Sequence, residues 1–222
     1  MEWQDEGVCV QLRRLGESKF CAVFFTRENG LHRGVVRHNR RAPLQVGTVC
    51  ELTWKARLCE HMGTWTRVEV LENTAVHILD SAAKALSLAS ACELLTKLMP
   101  ERQAHELMYL GLVAFLQELQ TTGWLNVYAH LEALLLKDIG FGMEWGMCAV
   151  TKRCDGLHYI SPVTGNAVTQ EGACGYEDRL LQYPHTTPEK LAVFLGLFSR
   201  YYERYFPRSV FPFVRTSLQD SI

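Results

Sequence analysis

The chain has 222 residues, 48% of them hydrophobic and 21% charged, a globular composition that excludes a disordered or fibrous chain. Twenty-three Lys and Arg against 24 Asp and Glu leave a net charge of −1, so total charge points to no partner. Its distribution is more telling, because five of the eleven basic residues in 1–80 lie between Arg27 and Arg41.

The first residues, Met1 to Glu6, are acidic where an export signal would be basic and then apolar. No run of about 18 apolar residues occurs, so neither a secretory leader nor a membrane span is expected. The eight cysteines, at 9, 21, 50, 59, 92, 148, 154 and 174, sit mostly inside apolar strand or helix patterns. Reduced, buried thiols in a cytoplasmic protein explain them better than a disulfide framework.

In 1–78 the pattern is short strands separated by turns. Val8, Val10 and Leu12 alternate with polar residues, a turn follows at Gly16, and Phe20 to Phe25 form an apolar run. Asn29-Gly30 is the strongest hairpin signal. Leu31 to Val36, the alternating Cys50, Leu52 and Trp54, and a last strand from Gly63 complete five strands, which fit a small OB-type barrel. From 79 to 222 the period becomes helical. The stripes are Leu88, Cys92, Leu95 and Met99; Met108, Leu112, Phe115 and Leu119; Trp124, Tyr128, Leu131 and Leu135; and Leu191, Leu195, Phe198 and Tyr202. The stretch 143–187 lacks any long period and predicts an irregular insert, with a short hairpin near Tyr159 and Val168. The expected fold is α+β: an amino-terminal barrel followed by an α-helical domain with that insert.

Enzyme motifs fail on their context. Gly140, Gly142 and Gly146 follow a helix and are misspaced for a dinucleotide loop; they predict a helix terminus and turn. His105-Glu106 has Tyr109 where a zinc protease needs its second histidine, and His130-Leu-Glu132 has no Pro-Cys-x-x-Cys after it. No catalytic function is expected.

Cys148, Cys154, His158 and Cys174 could offer three thiolates and an imidazole to zinc. Five residues separate the first pair of cysteines and nineteen the second, and no tight Cys-x-x-Cys turn exists. Buried or incidental thiols are the better reading, and no cofactor is expected.

The basic cluster is the strongest functional signal. Arg33 and Arg37, four apart on a strand, project from one face about 13 Å from each other. Arg40 and Arg41 extend the charge into the exit loop, with His32, His38 and Asn39 as polar contacts. Lys55 and Arg57 share the next strand, and Arg13 and Arg14 end the first. Glu28 is the only acid between residues 18 and 50, which favours a phosphate-tracking groove over a merely solvated face. Phe24, Trp54 and Trp65 are candidates to stack on bases wherever exposed, although Trp54 belongs to the apolar face of its strand.

Several segments in order resemble the RecO family of bacterial DNA repair proteins: Glu2 to Gly7 (EWQDEG), Leu15 to Ser18 (LGES), Thr26 to Gly30 (TRENG) and Gly34 to Arg37 (GVVR). Further along, Trp54 to Arg57 (WKAR), Leu136 to Gly142 (LKDIGFG), Cys148 to Thr151 (CAVT) and Tyr159 to Gly165 (YISPVTG) continue the resemblance. It implies an OB-fold, a helical domain and a zinc-finger-like insert, in a non-enzymatic protein. Such a protein binds single- and double-stranded DNA, anneals complementary strands, and acts with RecR and RecF. It helps load RecA onto DNA covered by single-strand-binding protein, whose acidic C-terminal tail would dock on the helical domain near Lys97, Arg102 or Lys137. The family's basic DNA-binding residues would correspond to Arg13, Arg33, Arg37, Arg40 and Arg41. Many members carry two Cys-x-x-Cys pairs in the insert; here Cys148 and Cys174 hold the first positions, while Thr151 and Glu177 hold the second. The alternative is an interaction adaptor whose barrel binds a partner's acidic tail or RNA.

The degenerate pairs predict purified protein without stoichiometric zinc. Elemental analysis finding one zinc per chain, lost on Cys148→Ser, contradicts this.

Overall fold

The computed structural model describes residues 1–37, 43–58, 61–74, 78, 81–182, 188–206 and 215–218, with side chains from 195 onward in the last long helix. Five strands close into a barrel: β1 (Glu2–Leu15), β2 (Lys19–Thr26), β3 (Gly30–Arg37), β4 (Thr48–Lys55) and β5 (Gly63–Asn73), in the order β1-β2-β3-β5-β4. The expected barrel is therefore what these residues form. β1 is long enough to serve two neighbours, its first half pairing with β4 and its second with β2. A bulge between Cys9 and Gln11 bends it from one to the other. The β2–β3 turn is a three-residue loop closed at Thr26↔Gly30, whereas a two-residue Asn29-Gly30 turn would close at Glu28↔Leu31. The Asp5 carboxylate accepts the Glu28 and Asn29 backbone N–H groups at 2.9 and 3.1 Å and fixes that loop.

Indole rings fill the barrel. Trp54 is 1% exposed, stacks on Trp3 with ring centres 5.4 Å apart, and donates from Nε1 to the Arg33 carbonyl at 3.1 Å. Trp65 meets Phe24 edge-on at 4.8 Å. His32 also points inward, edge-on to Trp3 and Trp54. Burial, helped by the nearby Arg102 charge, holds the His32 pKa below its ordinary value.

The outward residues of the same strands are apolar too. Val8, Val10, Val23, Phe25 and Leu31 join one continuous core with the helices α1 (Ala82–Leu98), α2 (Glu106–Glu118) and α3 (Trp124–Leu136). The stripes read for these three helices are all buried. The Ser81 hydroxyl caps α1 by accepting the Lys84 N–H. After α3 a π-helical turn, Lys137–Phe141, ends on Gly140 and Gly142, both at positive φ. The irregular segment beyond it carries a small sheet in the order β7 (Ala167–Thr169), β6 (Leu157–Ile160), β8 (Leu181–Gln182), with Tyr159 opposite Val168 as the turn signals suggested.

The final long helix, α4 (Pro188–Tyr205), is tied to α3 through a buried charge pair. Arg215, fully buried, reaches both carboxylate oxygens of Glu132 at 3.0 Å, the Ser199 hydroxyl at 2.7 Å and the Leu195 carbonyl at 2.8 Å. Every polar atom of the guanidinium that faces the core thus has a use, which is the condition for a buried pair to be tolerated.

Two outcomes follow from this packing. Arg215→Ala leaves Glu132 buried without its cation, and its urea midpoint should show a loss of about 3–5 kcal/mol. Because the His32 pKa is depressed on folding, its contribution is intact above the unfolded value of about 6.5 and drains away as pH falls below it. Stability compared at pH 7.5 and 5.5 should therefore drop less in His32→Phe than in the wild type.

Candidate nucleic-acid interface

Strand register decides which basic residues share a face. On β3 the odd positions Leu31, Arg33, Val35 and Arg37 point outward, because Leu31 lies opposite Phe25 and Arg33 opposite Val23, both packed on the helices. Arg37 lies directly opposite Lys19 on β2, and Cys21 links Val35 to Arg13 of β1. Arg13, Lys19, Arg33 and Arg37 therefore occupy one outward surface of three adjacent strands, about 4.8 Å between neighbouring strands. All four are exposed. Lys19 was not singled out in the sequence because its place depends on counting from the Leu15↔Lys19 closure of the first hairpin.

The charges are not equally available. Arg33 forms an ion pair with Glu101 from the segment between α1 and α2. Arg27 bonds Glu106 at 2.9 Å, and Lys55 bonds Glu2 at 3.0 Å. The scarcity of acids between residues 18 and 50 is thus partly made good by acids distant in sequence. Arg13, Lys19 and Arg37 have no ion-pair partner among the described residues. Arg14 is turned to its own hairpin, donating from Nε to the Gly16 carbonyl at 3.0 Å. Lys55 and the exposed Arg57 lie on the β4 side, separated from β3 by β5. Arg40 and Arg41, with His38 and Asn39, lie outside the described residues.

Between the barrel and α1 runs a groove of about 520 Å³ whose walls carry Arg13 and Arg33 from the strands and Lys97 from the helix. Lys97, considered above as a charge for an acidic tail, faces this groove, with Glu93 2.7 Å away on the same helix. Arg102 is not among the residues that line it; its backbone N–H bonds the Leu31 carbonyl. Lys137 is elsewhere again, at a pocket of about 310 Å³ with His130, Leu134, Met143 and Trp145, where Glu144 pairs with it. The three charges do not surround one pocket.

The aromatic residues considered for stacking are corrected by the same register. Phe24, Trp54 and Trp65 all point into the barrel and are buried. His32 likewise is interior and supplies no outward contact.

In the insert, Cys148 is buried and its Sγ accepts N–H groups from Thr151 at 3.3 Å and Thr169 at 3.2 Å. Burial opposes ionisation, yet these donors and the two threonine hydroxyls bring the thiol down to about 6. Cys154 and Cys174 are exposed. Among the described residues no group of three or more His, Cys, Asp or Glu side chains could hold a metal ion.

No helix among the described residues is long and apolar enough to cross a membrane. The model of the recombination protein O N-terminal family matches residues 1–74, and that of the recombination protein O C-terminal family matches residues 80–191. The chain is similar to the DNA repair protein RecO of Cereibacter sphaeroides, 41% identical over 188 residues, covering 83% of this chain and 78% of the relative. It is similar to that of Jannaschia sp., at 37% over 82% and 75% of the two chains, and to that of Anaplasma marginale, at 32% over 83% and 77%.

Proposed function

The chain belongs to the RecO family of DNA repair proteins, and on that premise we propose that it is a DNA-binding recombination mediator without catalytic turnover. It binds single- and double-stranded DNA, anneals complementary strands, and helps load RecA onto DNA covered by single-strand-binding protein. RecR and RecF are its partners, in the cytoplasm and on the nucleoid.

The observation that carries this reading is the basic outward surface of β1, β2 and β3 with the groove beside α1. Long cationic side chains at strand spacing suit a phosphate backbone and are poorly placed to read base edges inside a duplex groove. Such binding is indifferent to sequence and neutralises the repulsion between two strands, which is what annealing needs. We assign the contact to Arg13, Lys19, Arg33 and Arg37, extended by Arg40 and Arg41, with Lys55 and Arg57 as a secondary patch. Arg33 exchanges Glu101 for phosphate at small cost, since exposed ion pairs are worth about 0–1 kcal/mol.

The pocket between α3 and the insert, with Trp145 and Met143 in its wall and Lys137 at its edge, is the place we assign to the acidic, apolar-ended tail of single-strand-binding protein. The insert is proposed to keep its shape without metal, because the hydrogen bonds to Cys148 Sγ from Thr151 and Thr169 take the place of a metal at that knuckle.

Replacing Arg13, Lys19, Arg33 and Arg37 together with Ala should flatten the slope of log affinity against log salt by roughly three units, about 0.7 per phosphate for single strands and 0.9 for duplex. The urea midpoint should barely move, because exposed charges contribute little to stability. A folded variant that keeps wild-type affinity and slope places the binding surface elsewhere.

A further inference from the structure

The barrel is closed, yet among the described residues one end of it is left open. The parallel ladder between β3 and β5 consists of Gly34↔Gly63 and Val35↔Thr64 alone. Beyond that point β5 continues along β4 to Asn73 without β3 beside it. A mouth of about 420 Å³ is left between them, within the roughly 300–1,000 Å³ range of small-ligand sites. Val70 lies opposite Cys50, an interior residue, yet Val70 is 40% exposed. An inward-facing apolar side chain that the barrel does not cover is the unusual feature here.

The lining is aromatic and apolar with a polar margin. Phe20 forms a wall with the small exposed edge of the otherwise buried Trp65, Thr64 and Thr66 line it, the Thr66 hydroxyl donating to the Thr53 carbonyl at 3.2 Å, and Arg37 stands at its edge. Arg37 also belongs to the basic surface, opposite Lys19. A phosphodiester held by Arg37 therefore has its own base within reach of the mouth.

We propose that this open end of the barrel is a socket for one unstacked nucleobase of single-stranded DNA, with the flanking phosphate on Arg37 and Lys19. The inference rests on the DNA-binding reading above and deepens it. Three requirements meet at one place: an apolar, aromatic cavity for a planar ring, hydroxyls for its edge, and cations for the adjoining phosphate. An acidic peptide would satisfy the cations, but the pairing of aromatic walls with threonine hydroxyls fits a heteroaromatic ring better than an aliphatic side chain. A base inside duplex would first have to leave its stack, so the socket favours single strands. It accepts any base, because every base presents a π-face.

The test compares a labelled 20-residue oligothymidylate with an abasic phosphodiester strand of equal length, by anisotropy on the full chain over a salt series. The wild type should bind the thymidylate roughly five- to tenfold more tightly at every salt concentration, the worth of about one stacked base, with equal salt slopes. Val70→Phe, which fills the mouth, should abolish the preference and leave the slope unchanged. If that variant does not fold, Val70→Leu should reduce the preference in the same direction. Equal wild-type affinity for the two strands, with a steep slope, overturns the socket and leaves the DNA-binding reading standing. Salt-independent or absent binding of both strands overturns that reading itself. A folded Val70→Phe that keeps the full preference overturns the socket, as does an acidic, apolar-ended peptide that loses binding in Val70→Phe while the two strands bind alike.

Discussion

Strands β1, β2 and β3 are apolar on both faces, and a small barrel can bury only one of them. The inward set packs on Trp54 and Trp65, and the outward set, Val8, Val10, Val23, Phe25 and Leu31, is satisfied only by the helices. Burying each such side chain is worth about 1.5–3 kcal/mol, so docking of barrel on helices is a condition of folding. Polar contacts then set the angle. The Arg102 N–H bonds the Leu31 carbonyl at 2.9 Å and Tyr109 donates to Glu6 at 2.7 Å. Gly30, at φ +70, lets the backbone at Gln103 approach so closely that a Cβ would sit 1.8 Å from its carbonyl oxygen.

That docking shapes the candidate interface. It brings α1, with Lys97, alongside Arg13 and Arg33 and so turns an exposed strand surface into a groove. It also brings Glu101 to Arg33. The consequence is a basic face that is partly neutralised by an internal carboxylate, the one that the proposed phosphate contact would displace. Contrast the Glu132–Arg215 pair, where neither group meets solvent and exchange is closed off. The same two charge types serve a removable contact in one place and a structural tie in the other, and solvent exposure is what separates them.

The insert builds a turn around one buried thiol. Cys148 Sγ accepts the Thr151 and Thr169 N–H groups, while the Thr151 hydroxyl shares a hydrogen bond with that of Thr169 at 3.2 Å. Val168 and Ala173 close over the sulfur with Cys148 as a small separate core. Hydroxyl, thiol and apolar contacts together close the loop.

The sequence by itself determined the element types and the buried stripes. Period-two alternation in Cys50, Leu52 and Trp54, and the 3.6-residue stripes through Leu88, Met108 and Tyr128, report local geometry that the chain cannot escape. The basic cluster was legible for the same reason, since residues four apart on a strand share a face. Tertiary structure alone decided the rest. The bulge at Cys9 and Gln11 resets parity along β1, so the side on which Arg13 emerges follows from the pairing with β2. Lys19 joined the face, and Phe24, Trp54, Trp65 and His32 left it, through barrel closure. Glu101 and Glu106 reached their cations, and Lys97 the groove, only when helices and barrel came together, and Glu2 reached Lys55 through the pairing of β1 with β4. Side-chain period is a property of consecutive residues, whereas charge pairing and the open mouth between β3 and β5 depend on which distant strands and helices become neighbours.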